Sequence, residues 1–476
     1  MNMTLKASLS FLVVALLLLF VGQYQSWSLA LAIVNMCLIS AVMALGVNIQ
    51  WGYAGLFNVG VMGFAALGGV AAMLVSMKPV TGAWQVGGSG IALSLLTLIV
   101  TLFAVVFLRR KLSAGIIRTI LTIMLLIGGL MVLRRFYLPA VESIEAFESA
   151  RTGYLGGLGL PILLSWAVGG LFAAGAAWLI GKVALGLRSD YLAIATLGIS
   201  EIIIAIIKNE DWLTRGVKNV NGLPRPVPYE IGLQRSSWFP ELVEKFHASS
   251  LPLDEPARTL MLQSMTISSS SIFVKLCYTT LFLTVLLLIL WLSRRAQRSP
   301  WGRMMRGIRD SEAAANAMGK DVTRRHLQVF IVGSAVVGIA GAMLVTLDGQ
   351  LTPTAYNPLR FTFLIWVMVI VGGSGNNLGA VLGAFIVWFF WIEAESMGRI
   401  VIEFLTSGMD PANALRMHLL QQASHMRLLL MGVVLLLVLR FSPRGVLPEQ
   451  VRRPANPVLK NSGEANLHSS IATIAH

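Results

Sequence analysis

Apolar residues in this chain fall into blocks separated by short polar or basic stretches. The blocks run near 8–22, 28–49, 55–76, 90–108, 115–133, 160–183, 191–207, 272–292, 326–347, 361–392 and 426–441. Most approach the roughly 20 residues that a helix needs to cross a bilayer core. The pattern predicts an all-α, polytopic membrane protein with about 11–12 transmembrane segments, some broken or re-entrant. The first block is preceded only by Lys6 and followed by Gln23, Tyr24 and Gln25, with no small-x-small cleavage site, so it is expected to stay as a helix.

The block at 361–392 is too long for one crossing. As a single helix it would span about 48 Å, against a core of about 30 Å. Its middle reads Gly372-Gly373-Ser374-Gly375-Asn376-Asn377, a helix breaker. Two short or tilted helices that enter and leave on one face relieve the mismatch.

Charge adds an orientation. Only 12% of the 476 residues are charged, about half the ~25% of soluble chains, which excludes an ordinary soluble enzyme and a disordered chain. The net charge of +15 is gathered in loops, so it reads as the positive-inside signal and not as a nucleic-acid surface. Residues 293–325 carry Arg294, Arg295, Arg298, Arg303, Arg306, Arg309, Lys320, Arg324 and Arg325, and the stretch after 441 carries Arg444, Arg452 and Arg453. Both are expected in the cytoplasm. Counting crossings then gives N-in and C-in, with 134–159 outside despite Arg134 and Arg135. The expected organisation is a membrane domain over 1–447 and a polar cytoplasmic tail over 448–476. An external loop at 208–271 and a cytoplasmic loop at 293–325 interrupt the domain.

The cytoplasmic loop carries the clearest local signals. Ser299-Pro300 reads as a helix start, with Ser as the cap and Pro in the first turn, and Gly319 as the stop. One helix over 300–319 is expected. Arg303 and Arg306 share a face, Arg306 meets Asp310 one turn on, and Ala313, Ala314 and Ala317 make a small, smooth side. Such a helix can seat in a partner's groove; composition alone reads equally as a solvated anchoring loop.

Within the blocks, Gly52, Gly55, Asn58 and Gly60 form a Gly-rich stretch with a polar residue, and Asn376 and Asn377 sit at the central break. These are candidate pathway residues, because interrupted helices expose backbone groups where water or substrate passes. Tight packing through small residues is the competing reading. Glu201 lies mid-block, where a carboxylate costs roughly 2.5–3.5 kcal/mol, so it is expected to face protein or water. Cys37 and Cys277 lie in separate blocks and the six His show no metal-ligand spacing. Gly181-Lys182 and Gly319-Lys320 lack the remaining residues of a P-loop.

The stretch Ser299-Pro-Trp-Gly-Arg, Ile308-Arg-Asp-Ser-Glu-Ala-Ala, Gly319 and Val322-Thr-Arg closely resembles the cytoplasmic signature of the branched-chain amino-acid (LivM-type) permeases of ATP-binding-cassette importers. Four further stretches are similar to that family, in order: Leu45-Gly-Val-Asn-Ile-Gln-Trp-Gly-Tyr-Ala-Gly-Leu, Asp190-Tyr-Leu-Ala-Ile-Ala-Thr-Leu-Gly-Ile-Ser-Glu201, Asn221-Gly-Leu, and Gly372-Gly-Ser-Gly-Asn with Gly379. The resemblance covers about 30–76 and 160–445, and leaves the pair near 90–133 and the segment 393–425 as additions.

The resemblance implies a transport subunit that is not itself an enzyme and binds no cofactor. ATP and Mg would sit on partner ATPase subunits. These would dock at Arg303, Arg306, Arg309, Asp310, Ser311, Glu312, Ala313, Ala314 and Gly319, with Arg309 and Glu312 making polar contacts at the rim. A sister permease and an external, periplasmic solute-binding protein complete the expected assembly in a prokaryotic inner membrane. The implied cargo is a branched-chain or other amino acid, with urea and short amides as an alternative. An ion-coupled secondary transporter is a second class; a membrane enzyme lacks paired carboxylates or His clusters in the blocks. Single-cysteine labelling should place residues 393–425 outside and residue 460 in the cytoplasm; the opposite result at either would overturn the N-in, C-in arrangement.

Overall fold

The computed structural model describes residues 3–149, 152–249, 254–410 and 413–449. The tail beyond Glu449 lies outside these residues, and so does Pro252 of the expected external loop. The chain opens with α1 (Met3–Tyr24), α2 (Trp27–Val47) and α3 (Val61–Ser76). A hairpin, α4 (Ser89–Lys111) and α5 (Ile116–Ala146), and the pair α6 (Ile162–Ala184) and α7 (Ser189–Asn209) follow. Two short helices, α8 (Glu230–Arg235) and α9 (Trp238–His247), pack on α10 (Glu255–Arg298). The loop helices α11 (Pro300–Asp310) and α12 (Glu312–Ala317) lead into α13 (Val322–Asp348). The chain then forms α14 (Pro358–Gly372), α15 (Asn377–Leu405), α16 (Ala414–Gln421) and α17 (Met426–Phe441).

Among the described residues, nine helices are long and apolar enough to cross a membrane. The bent pair α16–α17 would make a tenth, and α3 and α14 are shorter apolar helices. The only sheet among them is β1 (Val220–Asn221) against β2 (Gln350–Leu351), antiparallel with Val220 opposite Leu351. The protein is therefore a polytopic all-α membrane protein. The 361–392 block divides as its glycines suggest: α14 ends at Gly372 and α15 starts at Asn377, capped by the Asn376 side chain.

The core is α13 surrounded by α2, α3 and α6. These helices approach until backbone touches backbone. A Cβ on Gly68 of α3 would stand 1.9 Å from the Gly338 carbonyl oxygen of α13, and one on Gly341 would stand 2.0 Å from that of Ala65. No side chain fits there. In a lipid solvent, where burial of apolar groups gives helices little reason to associate, such close approach is the main source of attraction. Polar pairs add to it: the Trp166 indole donates to Thr346 Oγ1 at 3.0 Å, and the Tyr278 hydroxyl to the Thr346 carbonyl at 3.3 Å.

The periphery is built differently. In the most apolar stretch of α2, 78% of residues are buried, against 6% in α4 and in α5. Those two helices pack on each other and present Leu, Ile, Val and Phe outward, which only a lipid surround tolerates. The hairpin is rooted at one end, where Ala83, Ile144 and Leu155 form a small separate core.

Two expected loops are partly helical. Residues 255–271, placed in the external loop, are the opening of α10, whose 44 residues are about 66 Å long. The polar side chains there (Gln263, Ser264, Ser268) hide the continuity from a hydropathy reading. Likewise 393–405 continues α15, and its Glu393 is buried, accepting from Gln25 Nε2 at 2.9 Å. A partnered carboxylate costs little, so the helix runs on.

The seam is testable. Gly341→Val should prevent recovery of folded, monodisperse protein, since overpacking a tight contact costs roughly 1–3 kcal/mol or more and here the neighbour is rigid backbone. Gly175→Val in α6, where a Cβ meets nothing within 4 Å, should leave size-exclusion profile and thermal stability unchanged.

Candidate functional site

The loop helices sit at one end of the bundle. Ser299 caps α11, its hydroxyl accepting from Gly302 N, and Met305 and Ile308 are buried in the core. The expected single helix over 300–319 is two. At Ser311 the backbone is extended (φ −157°, ψ 98°), and its side chain caps α12 by accepting from Ala314 N. A residue that caps the next helix cannot also continue the last one. In α12 and its exit only Ala315 is buried; Glu312, Ala313, Ala314, Met318 and Gly319 are exposed. Gly319 has φ +73° with open space around it, so a side chain there is opposed by backbone conformation and not by a neighbour.

The arginines divide. Arg303 is exposed, and Arg306 reaches back to the Gln297 carbonyl at 3.4 Å. The expected Arg306–Asp310 pair is not formed: Asp310 pairs with Arg309 at 3.2 Å. Arg309, expected at a partner's rim, is half-buried. It turns inward, donating to the Gly52 carbonyl and to Glu449 at 2.8 Å. Burial alone would lower its pKa, but Glu449 and Asp310 outweigh that and hold the guanidinium above its ordinary value. Arg309 thus ties the loop helix to the break after α2.

That break gathers most of the pathway candidates. After Val47 the helix widens into a π-turn over Asn48–Gly52, and a helix resumes only at Val61. Asn48 donates to Asn377 Oδ1 at 3.0 Å, and the Tyr53 hydroxyl donates to the same oxygen. Asn48 Oδ1 accepts from Gly375 N at 2.8 Å. Gln50 links to Asn58 at 2.8 Å and to Ser334 at 3.0 Å. Gly52 lies against Gly375, Gly55 against Arg309, and Gly60 against the Thr196 carbonyl. Asn376 caps α15 and donates to the Leu447 carbonyl at 3.1 Å. Gly52, Gly55, Asn58, Gly60, Asn376 and Asn377 therefore form one hydrogen-bonded plug beside the loop helices.

Glu201 stands apart. It lies on the outward face of α7 with Ile194, Gly198 and Ile202, while Leu192, Thr196, Ser200 and Ile204 make the buried stripe. One helix residue, about 100° of rotation, separates it from buried Ser200, so the protein or water expected to face it is not the interior of this chain.

A cavity of about 340 Å³ opens at the other end of the bundle, between α2, α13, α14 and α15. Its walls include Ile39, Met43, Leu364 and Met368; Asp348 and Arg360 lie where α13 ends and α14 begins. Met43 is about a turn and a half from the π-turn, so the plug closes the bundle below the cavity. Sequence reading passed over this cavity. Asp348 and Arg360 stand at the edges of two apolar blocks and read as block boundaries; their opposite charges across one short connection were the available signal.

Comparison with known proteins fits this arrangement. The family described as "Branched-chain amino acid transport system / permease component" matches residues 29–439. The chain belongs to that family. It is 28% identical over 249 residues to the high-affinity branched-chain amino acid transport system permease protein LivM of Salmonella typhimurium, covering 51% of this chain and 52% of that protein. It is 26% identical to the probable LivM of Methanocaldococcus jannaschii over 33% of this chain and 42% of that one. A 95-residue stretch is 34% identical to the xylose transport system permease protein XylH of Escherichia coli, covering 19% and 24% of the two chains. The chain thus spans about half the length of the LivM relatives it matches. No solved structure matches it.

The Arg309 link makes a prediction. Arg309→Ala should speed amide hydrogen exchange across 300–319 and 50–56 by about tenfold or more, the loss of one charge-assisted hydrogen bond, without altering exchange in α13. Unchanged exchange in both segments would mean the tie carries no load.

Proposed function

We propose that this protein is the membrane-spanning permease subunit of an ATP-binding-cassette importer for branched-chain or other apolar amino acids. The observation that carries this reading is the separation of a cavity at one end from a plug at the other, with Arg309 joining the plug to an exposed small-residue helix. The membrane is the prokaryotic inner membrane, with N- and C-termini in the cytoplasm; the Arg109–Lys111, Arg294–Arg298 and Arg440–Arg444 clusters at the loop-helix end support that orientation.

An external solute-binding protein delivers cargo to the cavity mouth. A partner ATPase, which holds ATP and Mg, receives α12 against its surface, where Ala313 and Ala314 leave room for close contact. Movement of the ATPase displaces α11 and α12, Arg309 draws on Gly52, and the Asn48–Asn377 contacts part. Substrate then leaves on the cytoplasmic side. The plug suits this role because its members are already hydrogen-bonded: exchanging those partners for water costs little per bond, about 0.5–1.5 kcal/mol each.

The second permease subunit covers α7. Glu201 facing lipid at mid-span would cost roughly 2.5–3.5 kcal/mol, and a protein neighbour with a hydrogen-bond donor removes that cost. The urea and short-amide reading is weaker, because the cavity is lined mainly by Met, Ile, Leu and aromatic side chains.

Reconstitution with the partner ATPase, sister permease and binding protein tests the reading. ATP-dependent uptake of leucine, isoleucine or valine is expected, and uptake of urea or xylose in their place would overturn it. In the same vesicles Gly319→Val and Ala314→Leu should abolish uptake while the chain inserts normally, because one opposes a left-handed backbone and the other enlarges the contact surface. Normal uptake in both variants would return α11 and α12 to a mere anchoring loop.

A further inference from the structure

The cavity holds charges that nothing else in the described chain uses. Asp348 forms no ion pair among the described residues, and neither does Arg360. Both line the same cavity yet are too far apart to bridge each other. Arg360 lies over the Trp391 ring, its guanidinium carbon 4.9 Å from the ring centre, which fixes the charge without neutralising it. Arg427 lies over the same ring at 5.4 Å, but it is paired with Glu395 at 3.5 Å.

Three buried polar atoms of cavity-lining residues also lack a partner: Thr352 Oγ1, Trp388 Nε1 and Arg427 Nε. Buried polar groups are normally satisfied, and each exception calls for an explanation. Here they cluster at one place. A ligand that offers an ammonium, a carboxylate and a compact apolar group meets the two unpaired charges and the apolar walls together. A volume of about 340 Å³ is at the small end of ligand pockets, suited to a ligand of amino-acid size.

We propose that this cavity binds an apolar amino acid as the zwitterion, with Asp348 taking the ammonium and Arg360, braced on Trp391, taking the carboxylate. Ile39, Met43, Leu364 and Met368 enclose the side chain. The inference rests on the importer reading and assigns its substrate a site within this chain.

The test is equilibrium binding of labelled leucine to the purified importer complex without binding protein. Unlabelled leucine, 3-methylbutylamine (no carboxylate) and 4-methylpentanoate (no ammonium) serve as competitors. Asp348→Asn should weaken leucine and 3-methylbutylamine about tenfold or more and leave 4-methylpentanoate unchanged; Arg360→Gln should weaken leucine and 4-methylpentanoate by a similar factor and leave 3-methylbutylamine unchanged. Co-purification of the complex, its size-exclusion profile and its thermal stability should match wild type in both, which separates a binding defect from misfolding. Wild-type leucine affinity in both variants would overturn the site, as would equal loss for all three ligands. If the complex imports leucine but the variants keep a wild-type KM, the site assignment alone fails. If it imports no amino acid at all, the importer reading itself has failed.

Discussion

Contact between helix backbones, with no side chain between them, is the constraint on which this structure depends. Along α13, Gly338 and Gly341 bring it against α3 and α6 at distances that even an alanine would break. Lipid supplies no hydrophobic drive for helices to associate, so the attraction has to come from van der Waals contact and polar pairs. That requirement concentrates small residues at the centre and leaves the large aliphatic ones outside. It also fixes α13 rigidly, so that Asp348 at its far end and Val322 at its near end keep a constant relation. The cavity wall and the loop-helix anchor are thus two ends of one braced element.

Much of the fold is legible in the sequence because bilayer thickness is a strict ruler. The break at 372–377 follows from block length and glycine content, and the end-to-end distribution of arginines follows from the membrane's asymmetry. What escapes hydropathy is helix that continues into water. The first part of α10 and the last part of α15 carry serine, glutamine and glutamate, and their helicity is set by the turns before them. Hydropathy registers only whether a segment can leave water, so a wet helix and a loop look alike to it.

The site was legible in halves. Ser299 and Gly319 announce their roles through a cap and a left-handed turn, which are local chemistry, whereas the cap at Ser311 is hidden inside what reads as one helix. Arg309 does not, because its partners Gly52 and Glu449 are distant in sequence, and nothing local distinguishes an arginine that turns inward from Arg303, which faces water. The same holds for Asp348 and Arg360: each is unremarkable alone, and only their common cavity gives them meaning. The Gly-rich candidates and the Asn376–Asn377 break are legible one by one, but their meeting through Asn48, Gln50 and Gly375 is not, because it is long-range.

The length of α10 has a mechanical meaning. It is one unbroken rod that reaches well past the bilayer on the side of α8 and α9 and ends at Arg298, one residue before the cap of α11. No hinge lies between. A rod about 66 Å long that pivots by about 5° at its middle swings each tip by roughly 3 Å, in opposite directions. Whatever presses on α8 and α9 therefore moves the start of the loop helices without passing through the cavity, and it also pulls on the plug, because Gln297 near the rod's end donates to the Gly375 carbonyl at 3.1 Å. The chain thus carries a lever alongside its hydrogen-bonded break, and a push at one end of the bundle is felt at the other.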